Sequence, residues 1–325
     1  MSLGEFDLIQ RFFQRGPEPQ PGVALGIGDD CAALVPTPGQ QWLISSDMLV
    51  EGRHFLSTVA PERLAHKALA VNLSDLAACG ATPRGFTLAI ALPRADASWL
   101  ERFAAGLFSL ADEHRIPLVG GDTTAGPLNL CITVFGEAPI GTALLRSGAR
   151  PGDELYVSGT VGDARLALEA FRGTVSLAGD HFERVRRAME LPQPRVALGQ
   201  ALRGIASSAI DISDGLLGDL AHVLRRSGVG ATLMADELPR SAVLAAQPVP
   251  LQRLCSLAGG DDYELLFTAA PERRAAIAAA AIDSGTRVTR IGRIETEPGL
   301  RLLDGAGQGL SADYESFDHF KTVHG

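Results

Sequence analysis

Aspartate beside glycine, serine or asparagine recurs six times along the chain, in Gly28-Asp29-Asp30, Ser45-Ser46-Asp47, Asn72-Leu73-Ser74-Asp75, Gly120-Gly121-Asp122-Thr123-Thr124, Asp211-Ile212-Ser213-Asp214-Gly215 and Gly259-Gly260-Asp261-Asp262. Carboxylate and hydroxyl oxygens are hard ligands that suit Mg²⁺, and carboxylates that meet at one place repel one another unless a cation holds them. Each motif alone is also ordinary turn or helix-cap chemistry. Six of them in one chain point to acids that converge on metal. Asp75 is the most telling, because it sits within the apolar stretch Leu64 to Ala78 and shares a helical face with Asn72, Ala68 and Val71. If buried, it needs a cation or donors. If not, it is a solvent-facing acid near a helix end, since Gly80 closes the helix soon after.

Composition narrows what such acids could serve. The chain has 325 residues and a formal net charge of -9, from 38 acids against 29 bases, which argues against a nucleic-acid or anionic-membrane surface. Phosphate ligands stay open if cations accompany them. Lys67 and Lys321 are the only lysines, and no G-x-x-x-x-G-K-[ST] loop occurs. Arginine, glycine-rich amides and Mg²⁺ are then the remaining means of neutralising phosphate. Arg146, at an expected domain junction, is the leading arginine, with a surface pair to Asp153 as the plain reading. Gly120-Gly121 offers bare backbone, and Gly159-Thr160-Val161-Gly162-Asp163 opens a helix whose N-terminus suits an anion.

Other chemistries find little support. The seven histidines form no H-E-x-x-H, no G-x-S-x-G elbow occurs, and the four cysteines form no C-x-x-C. His54, shortly after Ser45-Ser46-Asp47, is either a surface loop histidine or part of a site. There is no apolar run of about 18 residues, and the first residues lack the basic start of a signal peptide. A soluble cytoplasmic protein with reduced cysteines is expected.

The elements that must position these residues alternate between strand and helix, which predicts an α/β or α+β layer architecture. Strands are expected at 42–46, 85–92, 117–119 and 128–136, with helices at 61–79 and 97–113. Arg146 to Asp153 mixes Gly, Pro and charge before a new strand, so a domain boundary is placed there, giving domains 1–147 and 148–325. The second domain repeats the alternation, with strands at 155–157, 208–212, 231–234, 264–268 and 288–294 and helices at 162–172, 215–226 and 271–284.

Taken together and in order, the motifs resemble the thiamine-monophosphate kinase family. The matching stretches include Gly26-Ile27-Gly28-Asp29-Asp30-Cys31-Ala32, Ser45 to Phe55, Lys67 to Ala81, Gly120 to Thr124, Arg146 to Asp153, Ala209 to Leu216, Gly259 to Leu265 and Phe317-Asp318-His319-Phe320, and they span nearly the whole chain. The resemblance implies an ATP-dependent enzyme that makes thiamine diphosphate from thiamine monophosphate. It places the chain with aminoimidazole ribonucleotide synthetase and selenophosphate synthetase, implying an N-terminal α/β domain that dimerises through a joint β-barrel, a C-terminal α/β domain and ATP in the cleft. Carried over by position, it implies Mg²⁺ ligands at Asp30, Ser45, Ser46, Asp47, Asp75, Asp122, Asp211 and Asp214. It further implies ATP contacts at Gly121, Arg146 and Ser213, thiamine-phosphate contacts at His54, Asp261 and Tyr314, catalytic roles for Asp122 and Arg146, and a homodimer.

The charge problem then dictates the chemistry: donor and acceptor are both phosphates, so direct in-line transfer needs metal and arginine more than a general base. A selenophosphate synthetase would carry a reactive cysteine near its start, and the first thirty residues have none. A non-catalytic metal-binding protein would carry a contiguous D-x-[DN]-x-[DN]-G loop, also absent. A metal-dependent phosphatase would release phosphate from the monophosphate without ATP.

Overall fold

The computed structural model describes residues 4–15, 22–311 and 314. The chain forms two compact units, Met1–Leu76 with Ala81–Ala143, and Ala77–Gly80 with Leu144–Gly325. Arg146 to Asp153 therefore belong to the second unit.

In the first unit, helix α1 (Glu5–Leu8) runs into a π-helical turn, Ile9–Phe13, and strands β1 (Val23–Leu25) and β2 (Ala33–Leu34) pair as a small antiparallel ladder. Next come β3 (Gln40–Val50), α2 (Pro61–Ala78), β4 (Thr82–Leu92), α3 (Ala97–Glu113), β5 (Leu118–Ala125) and β6 (Asn129–Pro139). The last four strands form one sheet in the order β3-β6-β4-β5, antiparallel except for the parallel β4–β5 pair. Alternation along β4 and β6 buries Leu88, Ile90 and Leu92 with Leu130, Ile132 and Val134, as period-2 pleating requires. α3 begins where the Asp96 carboxylate accepts from the Ser98 and Trp99 amides, and its apolar stripe buries Leu100, Phe103, Leu107 and Leu110. The two helices touch closely at Gly106, where a Cβ would lie 2.2 Å from the Glu62 carbonyl oxygen.

The second unit is built on a six-stranded sheet. Its elements are β7 (Glu154–Ser158), α4 (Asp163–Phe171), α5 (Gly179–Glu190), α6 (Val196–Ala201), β8 (Ser208–Asp211), α7 (Leu216–Ser227), β9 (Gly230–Met234), α8 (Ala242–Ala245), α9 (Val249–Ala258), β10 (Leu265–Ala269), α10 (Arg274–Asp283), β11 (Val288–Glu295) and β12 (Gly299–Leu303). The strand order is β12-β9-β11-β7-β10-β8, with only β12–β9 parallel. β7, β8 and β10 are buried along their whole length, which explains their continuous apolar character. Leu155, Val157, Ile210, Leu220, Leu233, Leu266 and Ile291 belong to one core cluster, against which Tyr314 packs.

One buried acid in this sheet carries a pH prediction. Glu154 accepts from Arg274 Nε at 2.7 Å, Tyr156 Oη at 2.7 Å and Arg290 Nη1 at 2.7 Å. The Arg274 hydrogen bond, with help from Tyr156 and Arg290, holds its pKa down to about 2 against an ordinary value of 4.5. A depressed folded-state pKa gives stability that is present above the unfolded value and lost as the pH falls through the folded one. The stability gap between the wild-type protein and Glu154→Gln is therefore expected to be widest near pH 7 and to narrow from about pH 4.5 towards about pH 2. Urea midpoints of both proteins across that range check it, and a gap that does not change with pH would refute it.

Candidate functional site

In the first unit, the Ser45-Ser46-Asp47 motif lies within β3, not at its end. The strand continues to Val50, paired with β6 throughout. Ser45 and Asp47 alternate with exposed Ile44, Ser46 and Met48. The Ser45 hydroxyl donates to the Asp75 carboxylate on α2, so the half-buried Asp75 has the donor its apolar helix demanded. On the same helix Asn72 is fully buried; its Oδ1 accepts the Asp47 N–H at 3.1 Å and its Nδ2 donates to the Ala68 carbonyl at 3.0 Å. One asparagine thus satisfies the edge of β3 and fixes Asp47 beside α2. Ser46 shares a 2.9 Å hydrogen bond with Thr133 and donates to the Ile132 carbonyl.

His54 lies in the turn that follows β3. Its Nδ1 accepts the Val50 N–H at 3.0 Å, and its carbonyl accepts from the buried Lys67 Nζ at 3.2 Å. An accepting Nδ1 places the neutral ring's proton on Nε2. Asp30 is exposed in the turn between β1 and β2.

Gly121 and Asp122 lie inside β5, the opposite edge strand of the sheet. The register sets Asp47, Ile132, Leu88 and Gly121 in one row and Met48, Cys131, Ala89 and Asp122 in the next. Asp122 is exposed and three strands from Asp47, roughly 14 Å at 4.8 Å per strand. Ser45, Asp47 and Asp75 are therefore brought together, Asp122 stands apart from them, and among the described residues no group of three His, Cys, Asp or Glu side chains stands ready to cage a metal.

In the second unit two loops interlock. The first runs from Asp211, buried at the end of β8, to Gly215 at the start of α7. The second, Gly259 to Tyr263, donates its Asp261 N–H to the Ser213 carbonyl at 2.9 Å and its Tyr263 N–H to the Ile212 carbonyl at 2.8 Å. Asp261 and Tyr263 have φ of 68° and 50°, backbone strain of about 1–3 kcal/mol each that the surrounding bonds must sustain. The Tyr263 hydroxyl donates to Asp261 Oδ1 at 3.1 Å. Behind the first loop, buried Asp219 accepts the Ser213 and Asp214 N–H groups at 3.1 and 3.2 Å. Burial, reinforced by the Asp214 charge, pushes its pKa up to about 7. Local sequence reading missed this residue, although its place four positions after Gly215 was a signal.

The helix N-terminus at Gly162 differs from its expected role as a phosphate cradle. Both carboxylate oxygens of Asp262 lie 2.9 Å from the Gly162 N–H, so the protein's own acid occupies the anion position. Burial raises the Asp262 pKa well above the carboxylate range. Arg146 is exposed, and its charge is felt by His222, whose pKa is lowered by burial and then by Arg225 and Arg146. The expected surface pair with Asp153 does not form: that carboxylate accepts from the Arg150 N–H and the Ser207 hydroxyl. Tyr314 is half-buried against the second unit's core.

Comparison with known proteins gives this geometry its family. Residues 28–138 match the AIR synthase related protein N-terminal domain, and 150–305 its C-terminal domain. A thiamine-monophosphate kinase of Escherichia coli O157:H7 is 46% identical over 326 residues, covering 99% of this chain and 100% of the relative. The crystal structure of thiamine-monophosphate kinase from Stenotrophomonas maltophilia K279a superposes with a TM-score of 0.83 at 43% identity, covering 92% of this chain and 93% of that one. A structure of AaThiL complexed with AMPPCP and TMP superposes with a TM-score of 0.76 at 30% identity, covering 89% and 90%. With two AIR synthase related domains in series and such identity along its whole length, the chain belongs to the thiamine-monophosphate kinase family of enzymes.

Proposed function

We propose that this enzyme transfers the γ-phosphoryl group of ATP to the phosphate of thiamine monophosphate, producing thiamine diphosphate and ADP in the cytoplasm. The observation that carries the reading is the 46% identity over the full length of a thiamine-monophosphate kinase. The AaThiL complex adds support, because AMPPCP is an ATP analogue whose β–γ bridge is a methylene group and TMP fits the acceptor. Among the described residues no helix is long and apolar enough to cross a membrane.

The transfer is a direct in-line displacement. An oxygen of the acceptor phosphate forms a bond to the γ-phosphorus, the bond to the β–γ bridging oxygen breaks, and ADP leaves with that electron pair. A phosphate monoester has its second pKa at about 6, so the nucleophile is already ionised near neutrality and no general base is required. The residues that would hold Mg²⁺ are Asp30, Ser45, Ser46, Asp47, Asp75, Asp122, Asp211 and Asp214, all hard oxygen donors. They fit the ion, since Mg²⁺ takes one or two carboxylates with phosphate oxygens and water and does not need an all-protein cage. When bound, it neutralises the charge of two anions that otherwise repel. Gly121 and Ser213 contact ATP, Arg146 orients its phosphates and stabilises charge in transfer, and His54, Asp261 and Tyr314 hold the thiamine phosphate.

Residues 1–147 form the metal- and ATP-binding dimerisation domain in this reading, and 148–325 complete the nucleotide and substrate site. The homodimer would form through a joint β-barrel. Edge strand β3, which exposes Ile44, Met48 and Val50, suits that role, because an exposed apolar edge invites pairing. The test is product analysis with thiamine monophosphate, ATP and Mg²⁺. Equimolar thiamine diphosphate and ADP, abolished by chelation, are expected. Phosphate release from thiamine monophosphate without ATP would replace the kinase with a phosphatase.

A further inference from the structure

We propose that Asp219 is a positioning residue for the nucleotide: its buried carboxylate holds the Ser213-Asp214 backbone in the conformation that presents these residues to ATP and its metal. This rests on the reading of Ser213 and Asp214 as nucleotide and metal contacts. Asp219 lies in the first turn of α7 and is 3% exposed. An acid there that served only the helix would accept from N–H groups within the first turn. Its carboxylate meets the Gly215 amide at the helix start, and its Oδ2 extends further back to the amides of Ser213 and Asp214, at 3.1 and 3.2 Å.

The segment it holds is restrained on its other side as well. The Ser213 carbonyl accepts from Asp261 and the Ile212 carbonyl from Tyr263. Gly215 has φ of 119°, and a Cβ on it would lie 2.9 Å from the Ala258 backbone. The carbonyls of the loop are thus held by one neighbouring segment and its amides by Asp219. Without that carboxylate, two half-buried N–H groups lose their acceptor and must rotate to find another or turn to water. Rotation of these peptide planes carries the Ser213 and Asp214 side chains with them, and a displacement of about 1 Å is enough to spoil catalytic geometry.

The test uses the full-length enzyme with Asp219→Ala, and Asp219→Asn, which keeps an acceptor oxygen of lower strength. For Asp219→Ala we expect the KM for ATP and the half-saturating Mg²⁺ concentration to rise about tenfold or more, with the KM for thiamine monophosphate within about twofold of wild type. Asp219→Asn should fall between the two. Amide hydrogen exchange of the peptide spanning 212–216, measured without ligand, should be faster in Asp219→Ala and unchanged in peptides from the first unit. Unchanged exchange in that peptide overturns the proposal, as does a lower Tm with both KM values unaltered. If Asp219→Ala does not fold, Asp219→Asn decides by the same readouts. If the wild-type enzyme makes no thiamine diphosphate, the functional reading fails on its own, and exchange together with calorimetry of AMPPCP and Mg²⁺ binding still decides the role of Asp219.

Discussion

Gly121→Ala is expected to destabilise the first unit by about 4 kcal/mol and to abolish kinase activity with it. The cause is local and steric. Gly121 has φ of 146°, and a Cβ there would lie 1.8 Å from the carbonyl oxygen of Leu88, its register partner on β4. That oxygen belongs to the backbone of a buried strand and cannot swing aside as a side-chain tip would. β5 must then shift away from β4, loosening the parallel ladder that joins it to the sheet. Urea unfolding should reveal the loss directly, and a midpoint equal to that of wild type would disprove the steric argument.

The next residue is expected to behave in the opposite way. Asp122 is exposed on β5, so Asp122→Asn should change stability by no more than about 0.5 kcal/mol. Its effect should fall on turnover. Asparagine keeps the shape and one carbonyl oxygen but removes the charge that, in the proposed function, meets a cation between two phosphates. Loss of an outer partner of a metal ligand already costs about 10–100-fold, so loss of a charged ligand should lower kcat at least about a hundredfold. Raising the Mg²⁺ concentration should recover part of the activity. Turnover of Asp122→Asn within about threefold of wild type, at wild-type stability, would remove Asp122 from the site. These neighbouring variants separate fold from chemistry.

Much of the frame is legible in the sequence where one physical signal acts alone. α3 is read from Ala97 to Glu113 because its apolar stripe and the Asp96 cap agree. Strands β7 and β10 are legible as short apolar runs between Gly, Pro and Asp. The reading fails where partners distant in the chain decide. Gly120-Gly121-Asp122 has the composition of a turn, yet it is strand, because β4 supplies the hydrogen bonds along its whole length. Ser45-Ser46-Asp47 reads as a strand end, whereas β6 carries the pairing on to Val50. α5, Gly179–Glu190, buries only Val185, Met189 and Glu190, too narrow a stripe to stand out among its charges. The Gly162 amide is taken by a carboxylate 100 residues away, and nothing local to Gly162 reports it. The site acids were conspicuous as motifs, but which of them meet depends on sheet register.

The bonds between the loop carrying Ser213 and Asp214 and the loop carrying Asp261 have a consequence for how this scaffold could be re-engineered or diversify. Two backbone N–H groups of one loop end on two carbonyls of the other, and the residues flanking Asp262 sit in strained conformations that those bonds help to maintain. A segment transplanted from a relative in place of Gly259 to Tyr263 would keep its strained conformation only if its backbone still aimed two N–H groups at the Ile212 and Ser213 carbonyls. The two segments form a single heritable module: a change of acceptor preference on this framework should require them to be exchanged as a pair.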